Sequence, residues 1–347
     1  MSTRKTGRRP RPPAWTGWSD EKLLQVPLRD LDLRIEGTAL EGRVERIQAD
    51  LDRCDIRLTP TFWLSDEWFT PMGVTGVAIP FFLAHPRLAR LEKSQMLEVE
   101  GGTHDWCMRI LRHEIGHVVD NAWQLRRRRR RQKLFGSATT PYPETYLPKP
   151  YSKSFVRHLD QWYAQSHPDE DFAETFAVWF TPKFPWRRRY AGWKALRKLE
   201  YLDELMGEIA GTKPPVATRR KVDCISRNGM TLGEYYEQKR ERYAVDYPSF
   251  FDRDLRRLFT GEPGDRSLST AASFIRSHRR DLTKLVARGT GTYRYTIRLV
   301  VDDMIARCRE LGLRASGAEE DLRAELTVLL TVQTMNFVLS GRHRVTL

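Results

Sequence analysis

The stretch of sequence that decides the fold lies at residues 103–119 and reads THDWCMRILRHEIGHVV. Thr103 is suited to cap a helix, and Asp105 places an acidic residue in the first turn, where the helix dipole favours it. The apolar residues between Met108 and Val119 recur at a helical period. This pattern predicts a buried helix that begins after Thr103 and ends near Leu125.

The same helix carries a His-Glu-x-x-His motif at residues 113–117. His113 and His117 are four residues apart, so both imidazoles project from one face and can reach a single Zn²⁺. Glu114 is positioned to act as a general base on a water molecule at the metal. The simpler alternative is a helix with two partly buried histidines and a surface glutamate.

A second acidic segment, HPDEDFAETF at residues 167–176, suggests where a third ligand comes from. Pro168 fits the first turn of a helix, on which Glu170 and Glu174 share a face. One carboxylate can bind zinc, and the other can accept the second N–H of a zinc-binding histidine. The alternative is an acidic first turn favoured by the helix dipole, which explains Glu174 poorly because it lies a turn deeper.

Other side chains near the two helices are weaker candidates. His167 and Asp171 are rival ligands, and Asp120 is better suited to support a zinc-binding histidine from behind. Tyr163 lies seven residues before Glu170. Its phenol could donate a hydrogen bond to the oxyanion of a tetrahedral intermediate, or the ring could serve only for packing.

These motifs carry a resemblance to known peptidases. HEIGH followed by Y-x6-E-x-F-A-E-x-F resembles the zinc-peptidase domain of anthrax lethal factor and its relatives in the gluzincin clan. That resemblance implies Glu170 as the third zinc ligand, Glu174 as the support of a zinc histidine, and Tyr163 as the residue that stabilises the transition state. Residues 25–210 are more broadly similar to the bacterial family of "putative zinc-binding metallopeptidases", which implies fold and metal but says little about substrate.

The composition limits the classes of protein to which this chain can belong. The chain has 347 residues, of which 40% are hydrophobic and 30% charged, as expected of one or two folded domains rather than a disordered chain. No run of about eighteen apolar residues occurs, so no membrane span is expected. The four cysteines are scattered and no apolar leader follows the N-terminus, which together predict a cytoplasmic protein with reduced thiols.

The net charge of +14 raises the possibility of an anionic partner. Six consecutive arginines, Arg126–Arg131, follow the predicted active-site helix. Because such a run points all around a helix, it marks where the chain reaches solvent. A solvated face is favoured over a nucleic-acid or other anionic partner, and a third interpretation places the arginines at the rim of the cleft.

The remaining pattern predicts an α+β fold: a zincin-like metallopeptidase domain with a small mixed sheet and the active-site helix, followed by an α-helical C-terminal domain. We expect a disordered basic arm at residues 1–20, the peptidase domain at 21–212 and the helical domain at 213–347. A sheet edge is expected to align the substrate backbone. The predicted strands are Leu31–Ile35, Ile56–Leu64, Val74–Leu83 and Gln95–Glu100, with Gln95–Glu100 as the first candidate for that edge and Val74–Leu83 as the second.

The expected function is hydrolysis of peptide or amide bonds in a peptide or protein substrate. Zinc is the expected cofactor, held by His113, His117 and Glu170, with Glu114 and Tyr163 as catalytic residues. The alternative is a basic nucleic-acid-binding or protein-binding protein that retains a zinc site without turnover.

Overall fold

The described part of the chain is mostly helical and contains one small parallel sheet. In the computed structural model the described residues are 13–96, 98–137, 139–143, 146, 149, 151–160, 162–242, 252–260 and 268–339. The strands are β1 (Thr61–Ser65) and β2 (Gly76–Pro80).

The helices fall into two groups along the chain. The first group is α1 (Asp20–Leu24), α2 (Ala39–Arg53), α3 (Pro86–Met96), α4 (His104–Trp123), α5 (Arg129–Phe135), α6 (Pro168–Phe180), α7 (Trp186–Arg189), α8 (Leu196–Ile209) and α9 (Leu232–Arg242). The second group, called the C-terminal helical region below, is α10 (Asp252–Leu258), α11 (Ala271–Thr290), α12 (Arg294–Glu310) and α13 (Glu319–Leu339).

The helix predicted from the deciding stretch is present as α4. The Thr103 side chain accepts a hydrogen bond from the backbone N–H of Trp106, which caps the helix as predicted. Gln124 ends it in the left-handed conformation. Helix α6 begins as predicted too, with His167 as its cap and Pro168 in its first turn.

Close contact between α4 and α6 depends on a glycine. A Cβ added to Gly116 would lie 2.8 Å from the Cα of Ala173, which is closer than real side chains come. Gly116 lies between the two histidines of the motif, and it lets α6 approach the face that they share. The weak helix former within α4 is therefore explained by packing.

The sheet is smaller than predicted. β1 and β2 pair in parallel, with Thr61 opposite Gly76, and one antiparallel bridge joins Phe69 to Ala78. The expected strand at Gln95–Glu100 is wrong. Gln95 and Met96 end α3, whose apolar residues Leu88, Leu91 and Met96 are buried on one helical face. The first candidate for a substrate-aligning edge therefore falls on a helix end and a turn.

Two other local predictions are wrong. Leu31–Ile35 forms no strand, because Leu31 ends a 3₁₀ turn and Asp32 takes a left-handed conformation. The spacing of apolar residues at Ser154–Gln165 also favours a helix, but the residues described there form turns, with one 3₁₀ turn at Tyr163–Gln165 next to the left-handed Trp162. Val74–Leu83 contains β2, but the Ala78 backbone N–H already donates to Phe69 on the edge away from β1.

The hydrophobic core reaches beyond the predicted domain limits at both ends. Trp15 is buried in the first core, so residues 13–20 are not the disordered arm that was expected; residues 1–12 lie outside the described residues. At the other end Leu232 and Tyr236 belong to that same core, past the expected boundary at residue 212. A second core, between Leu255 and Leu330, is formed by the C-terminal helical region.

Among the described residues, every helix is either too short or too polar to cross a membrane.

Candidate metal centre

Helices α4 and α6 bring three predicted ligands together. His113 and His117 project from α4 toward Glu170 in the first turn of α6. Nε2 of His113 lies 3.0 Å from Oε2 of Glu170, and Nε2 of His117 lies 3.1 Å from the same oxygen. The two Nε2 atoms are 3.1 Å apart. Three donor atoms, two from α4 and one from α6, thus form a nearly equilateral triangle.

The spacing of this triangle fits a zinc ion. Zinc bonds to imidazole nitrogen and carboxylate oxygen are about 2.0–2.1 Å long, so neighbouring ligands of a tetrahedral site lie about 3.3 Å apart. The observed separations of 3.0–3.1 Å are close to that value. In the described part of the chain, these three residues form the group of side chains able to hold a metal ion.

Glu174 holds His113 in place from behind. His113 donates from Nδ1 to Oε1 of Glu174 over 2.9 Å, which leaves Nε2 as the atom that meets Glu170. The other carboxylate oxygen, Oε2, accepts from the backbone N–H of Leu159 at 2.8 Å. Glu174 is fully buried, and both of its oxygens have partners. Such support fixes the ring orientation and tautomer of a metal-binding histidine.

The buried imidazoles and carboxylates of the centre stabilise each other's charged forms. Burial works against a charged His113, but hydrogen bonds to Glu170 and Glu174 raise its pKa to about 10. Burial would likewise raise the pKa of Glu170, yet His117 and His113 hold it well below its usual range. The carboxylates are therefore anionic. In this structure the positive charge that balances them is that of protonated imidazoles. A divalent cation satisfies the same buried anions.

Glu114 faces the same cavity and is held by a residue that the sequence did not single out. The hydroxyl of Thr70 donates to Oε2 of Glu114 at 2.8 Å. Thr70 lies in the loop between β1 and β2, so no local motif joins it to the HEIGH sequence. Its hydrogen bond leaves Oε1 as the carboxylate oxygen available to a reactant.

Tyrosines surround Glu170. The ring of Tyr163 lies 5.5 Å from that of His113, measured between centroids, and it lines the cavity. Tyr142 donates its hydroxyl to Oε1 of Glu170 at 2.9 Å while its ring stacks on His167 at 3.7 Å. The sequence does not single out Tyr142, because the prolines around it indicate only a loop. Burial, together with the charges of Glu170 and Glu114, raises the pKa of Tyr163 well above its usual value, so this phenol keeps its proton.

Asp120 supports the centre differently from what the sequence suggested. Its carboxylate accepts from the backbone N–H of Arg126 and from the guanidinium of Arg131, rather than from a histidine. Arg131 is fully buried and donates to Asp169 as well, at 2.6 Å. Asp169 directly precedes Glu170. The Asp120–Arg131–Asp169 bridge, called the arginine clamp below, therefore ties α4 to the first turn of α6.

The arginine run is therefore not uniformly solvated. It begins just after α4 ends, as predicted, but Arg131 turns inward. Arg128 and Arg130 pair with Glu208 and Glu204 of α8. Arg127 and Arg129 are exposed. Three arginines of the run, Arg128, Arg130 and Arg131, are therefore paired within the chain.

His167, an alternative candidate for a metal ligand, makes other hydrogen bonds. Its Nδ1 accepts from the backbone N–H of Asp169, which caps α6, and its Nε2 donates to the carbonyl of Thr140. Asp171, the other rival, pairs with Lys198. Both side chains are therefore engaged away from the triangle of donor atoms.

A cavity of about 470 Å³ opens beside the metal centre. His113, Glu114 and Tyr163 line it, together with Trp68, Phe82 and Trp106. A further part of its lining comes from α11, the start of α12 and the turn between them, in the C-terminal helical region. A cavity with aromatic walls and a metal centre at one side is the usual form of a substrate site.

Comparison with known proteins supports the same site. Residues 107–181 match the model of the family described as "Putative zinc-binding metallo-peptidase". This segment includes α4 from Cys107 onward, all of α6 and all of the residues proposed to hold the metal, and the match confirms the resemblance to that family. Neither the curated proteins nor the solved structures give a match to the chain.

Proposed function

We propose that this protein is a zinc-dependent metallopeptidase that hydrolyses peptide or amide bonds. One observation carries the proposal: the donor atoms of His113, His117 and Glu170 lie within 3.1 Å of one another beside a cavity that Glu114 lines. A site that only stabilised the fold would need neither a cavity nor a carboxylate next to it. The family match at residues 107–181 supports the same assignment.

The three ligands leave one position of a tetrahedral site open. Zinc bound there would lower the pKa of a water molecule toward neutrality and polarise the carbonyl of the substrate. The chain itself supplies the positions of the donors: Glu174 orients His113, and Tyr142 holds the second oxygen of Glu170. This arrangement favours one-oxygen binding by Glu170.

Glu114 is the proposed general base. It would accept a proton from the attacking water through Oε1 and pass that proton to the amine that leaves. Thr70 fixes the carboxylate through Oε2, so the reactive oxygen is held in one direction. Glu114 adjoins His113 on α4, so one helix would carry the base and both histidine ligands.

Tyr163 is the proposed oxyanion donor. Its raised pKa keeps the phenol protonated at neutral pH, which is the state that can donate. The developing negative charge of the tetrahedral intermediate would strengthen such a hydrogen bond over that of the ground state. Loss of one such donor costs about 10²–10³-fold in rate in other hydrolases.

The test is Glu114→Gln, which removes the base and preserves the shape of the side chain. A peptide library made by digesting a whole proteome is incubated with each protein, and new termini are identified by mass spectrometry. We expect chelator-sensitive cleavage by the wild type, and full zinc content with cleavage reduced about 10²-fold or more in the variant. Glu200→Gln, at an exposed position on α8, is the matched control and should behave as wild type.

Two results would overturn the proposal. Equal cleavage by Glu114→Gln and wild type would exclude Glu114 as the base. A zinc-loaded wild type that produces no new termini in the library would favour a binding protein with a non-catalytic zinc site.

A further inference from the structure

The C-terminal helical region supplies one wall of the cavity beside the candidate metal centre. Lys284, Ala287 and Arg288 of α11 line it, and the turn from Gly291 to Tyr293 continues the wall to the start of α12. The cavity is thus bounded by elements of both hydrophobic cores. A substrate bound beside His113 would contact this second wall.

Specific contacts fasten the wall in place. Tyr293 donates its hydroxyl to Oε1 of Glu100 over 2.6 Å, and Glu100 lies just ahead of α4. The backbone N–H of Arg294 meets Oε2 of Glu98, and its guanidinium lies 3.9 Å from Oε1. The start of α12 is therefore anchored to the segment that leads into the active-site helix.

Most charged groups around the cavity already have partners. Glu98 and Glu100 accept from the wall itself, as described above. Arg109 pairs with Asp160 across 3.7 Å. Lys239 donates to Glu92 at 2.8 Å. Their charges are therefore offset by partners within the chain. The carboxylates of Asp66 and Glu67 also line the cavity.

Lys284 and Arg288 differ from the other charged groups. Both are exposed, and within the described residues neither side chain makes a hydrogen bond or ion pair. They are four residues apart on α11, so their side chains lie on one face of the helix. An arginine beside a lysine suits a carboxylate, because the guanidinium can bind both oxygens while the ammonium adds charge.

We propose that the C-terminal helical region determines the substrate specificity of this site, with Lys284 and Arg288 binding an acidic side chain of the peptide. The inference rests on the proposed peptidase function. It assigns the helical region a role in recognition, because this region places two cations, unpaired among the described residues, in the lining of the cavity that Glu114 and Tyr163 also line. The preferred substrates carry Asp or Glu within a few residues of the bond that is cut.

The test reverses both charges with the double variant Lys284→Glu and Arg288→Glu in the full chain. Cleavage sites in the proteome-derived peptide library are compared between this variant and wild type. We expect wild type to favour Asp or Glu at one position near the cut, roughly tenfold over Gln or Asn. The double variant should lose this preference and favour Lys or Arg at the same position. The control is Arg309→Glu with Arg323→Glu, which reverses two exposed cations away from the cavity.

A second measurement keeps this inference separate from the proposed chemistry. The same library is passed over immobilised, zinc-loaded protein carrying Glu114→Gln, and the retained peptides are identified. Enrichment of acidic peptides that disappears with the charge-reversed wall supports the inference even where cleavage fails. Cleavage with the same site preference in wild type and double variant, or equal retention of acidic and neutral peptides by both, would overturn it and leave the peptidase proposal intact.

Discussion

The charged side chains of two walls of the cavity differ in their burial and in their pairing. On the wall formed by α4, His113 is buried, and Glu170 and Glu174 of α6, which lie behind it and outside the cavity lining, are buried at hydrogen-bond distance from it. On the wall formed by α11, Lys284 and Arg288 are exposed and make no ion pair within the described residues. Buried charge is tolerated only when it is neutralised, so the first wall has a fixed arrangement. The second wall keeps its charge available for a ligand.

Substitutions that break the arginine clamp should have the largest effect on stability. Arg131→Met removes the buried cation that Asp120 and Asp169 share, and leaves Asp120 with only the more distant guanidinium of Arg126, 3.8 Å away. We expect the free energy of unfolding to fall by about 3–5 kcal/mol, measured by urea denaturation. Arg129→Met, at an exposed position of the same run, should stay within about 0.5 kcal/mol of wild type. A similar small change for both variants would show that the clamp does not hold α4 to α6.

The buried histidine behind the metal centre should make stability depend on pH. Burial lowers the pKa of His158 to about 4, and its Nε2 donates to the carbonyl of Arg109. Because an unfolded histidine titrates near 6.5, the unfolded chain binds more protons between these values. The stabilisation is present above about pH 6.5 and is lost as the pH falls toward 4, a change of roughly 3 kcal/mol.

His158→Gln is the variant that isolates this contribution. It keeps a donor but cannot titrate, so stability of the metal-free protein should fall less steeply from pH 6.5 to pH 4 than in wild type. Urea titrations at several pH values, with chelator present, measure the slope. Parallel slopes for the two proteins would exclude His158 as the source of the pH dependence.

Zinc affinity should fall moderately when the hydrogen bond that orients a ligand is weakened and the ligand itself is kept. Glu174→Gln reduces the acceptor strength that orients His113, and zinc affinity should fall about 10–100-fold. Competition with a zinc chelator of known affinity gives the ratio. Glu200→Gln on the exposed surface serves as control. Unchanged affinity in Glu174→Gln would mean that the packing of α4 alone orients the imidazole.

The exposed wall should contribute least to stability. Lys284→Glu with Arg288→Glu changes neither a buried contact nor an ion pair, so the free energy of unfolding should move by no more than about 0.5 kcal/mol. Urea denaturation checks this directly. A loss comparable to that of Arg131→Met would mean that the α11 cations stabilise the fold, and the contrast between the two walls would fail.

The parts of the site that sequence could predict are those encoded within one helix. The capping residue Thr103 and the spacing of His113 and His117 are local signals, and α4 follows from them. Glu170 and Glu174 could be proposed for the same reason, because their spacing defines one face of α6. Which carboxylate does which task is a proposal from the family resemblance; in the structure Glu170 lies against Nε2 of His113 and Glu174 against Nδ1.

The parts that sequence could not predict depend on contacts between distant segments. Thr70 and Tyr142 reach the site from loops, where no periodic pattern marks which side chain points inward. Arg131 looks like its five neighbours in the run, and its burial depends on Asp169 in another helix. The short stretch at Gln95–Glu100 fits a strand or a helix end equally well from its pattern, and packing of α3 decides the outcome.

The most direct test of the central claim is the zinc content of the purified protein. Elemental analysis is done on wild type prepared without chelator and on the double variant His113→Ala with His117→Ala, with circular dichroism to confirm that both are folded. We predict close to one zinc per chain in wild type and almost none in the variant. Zinc well below one per chain in folded wild type, or equal zinc in both proteins, would contradict the metal centre on which this account depends.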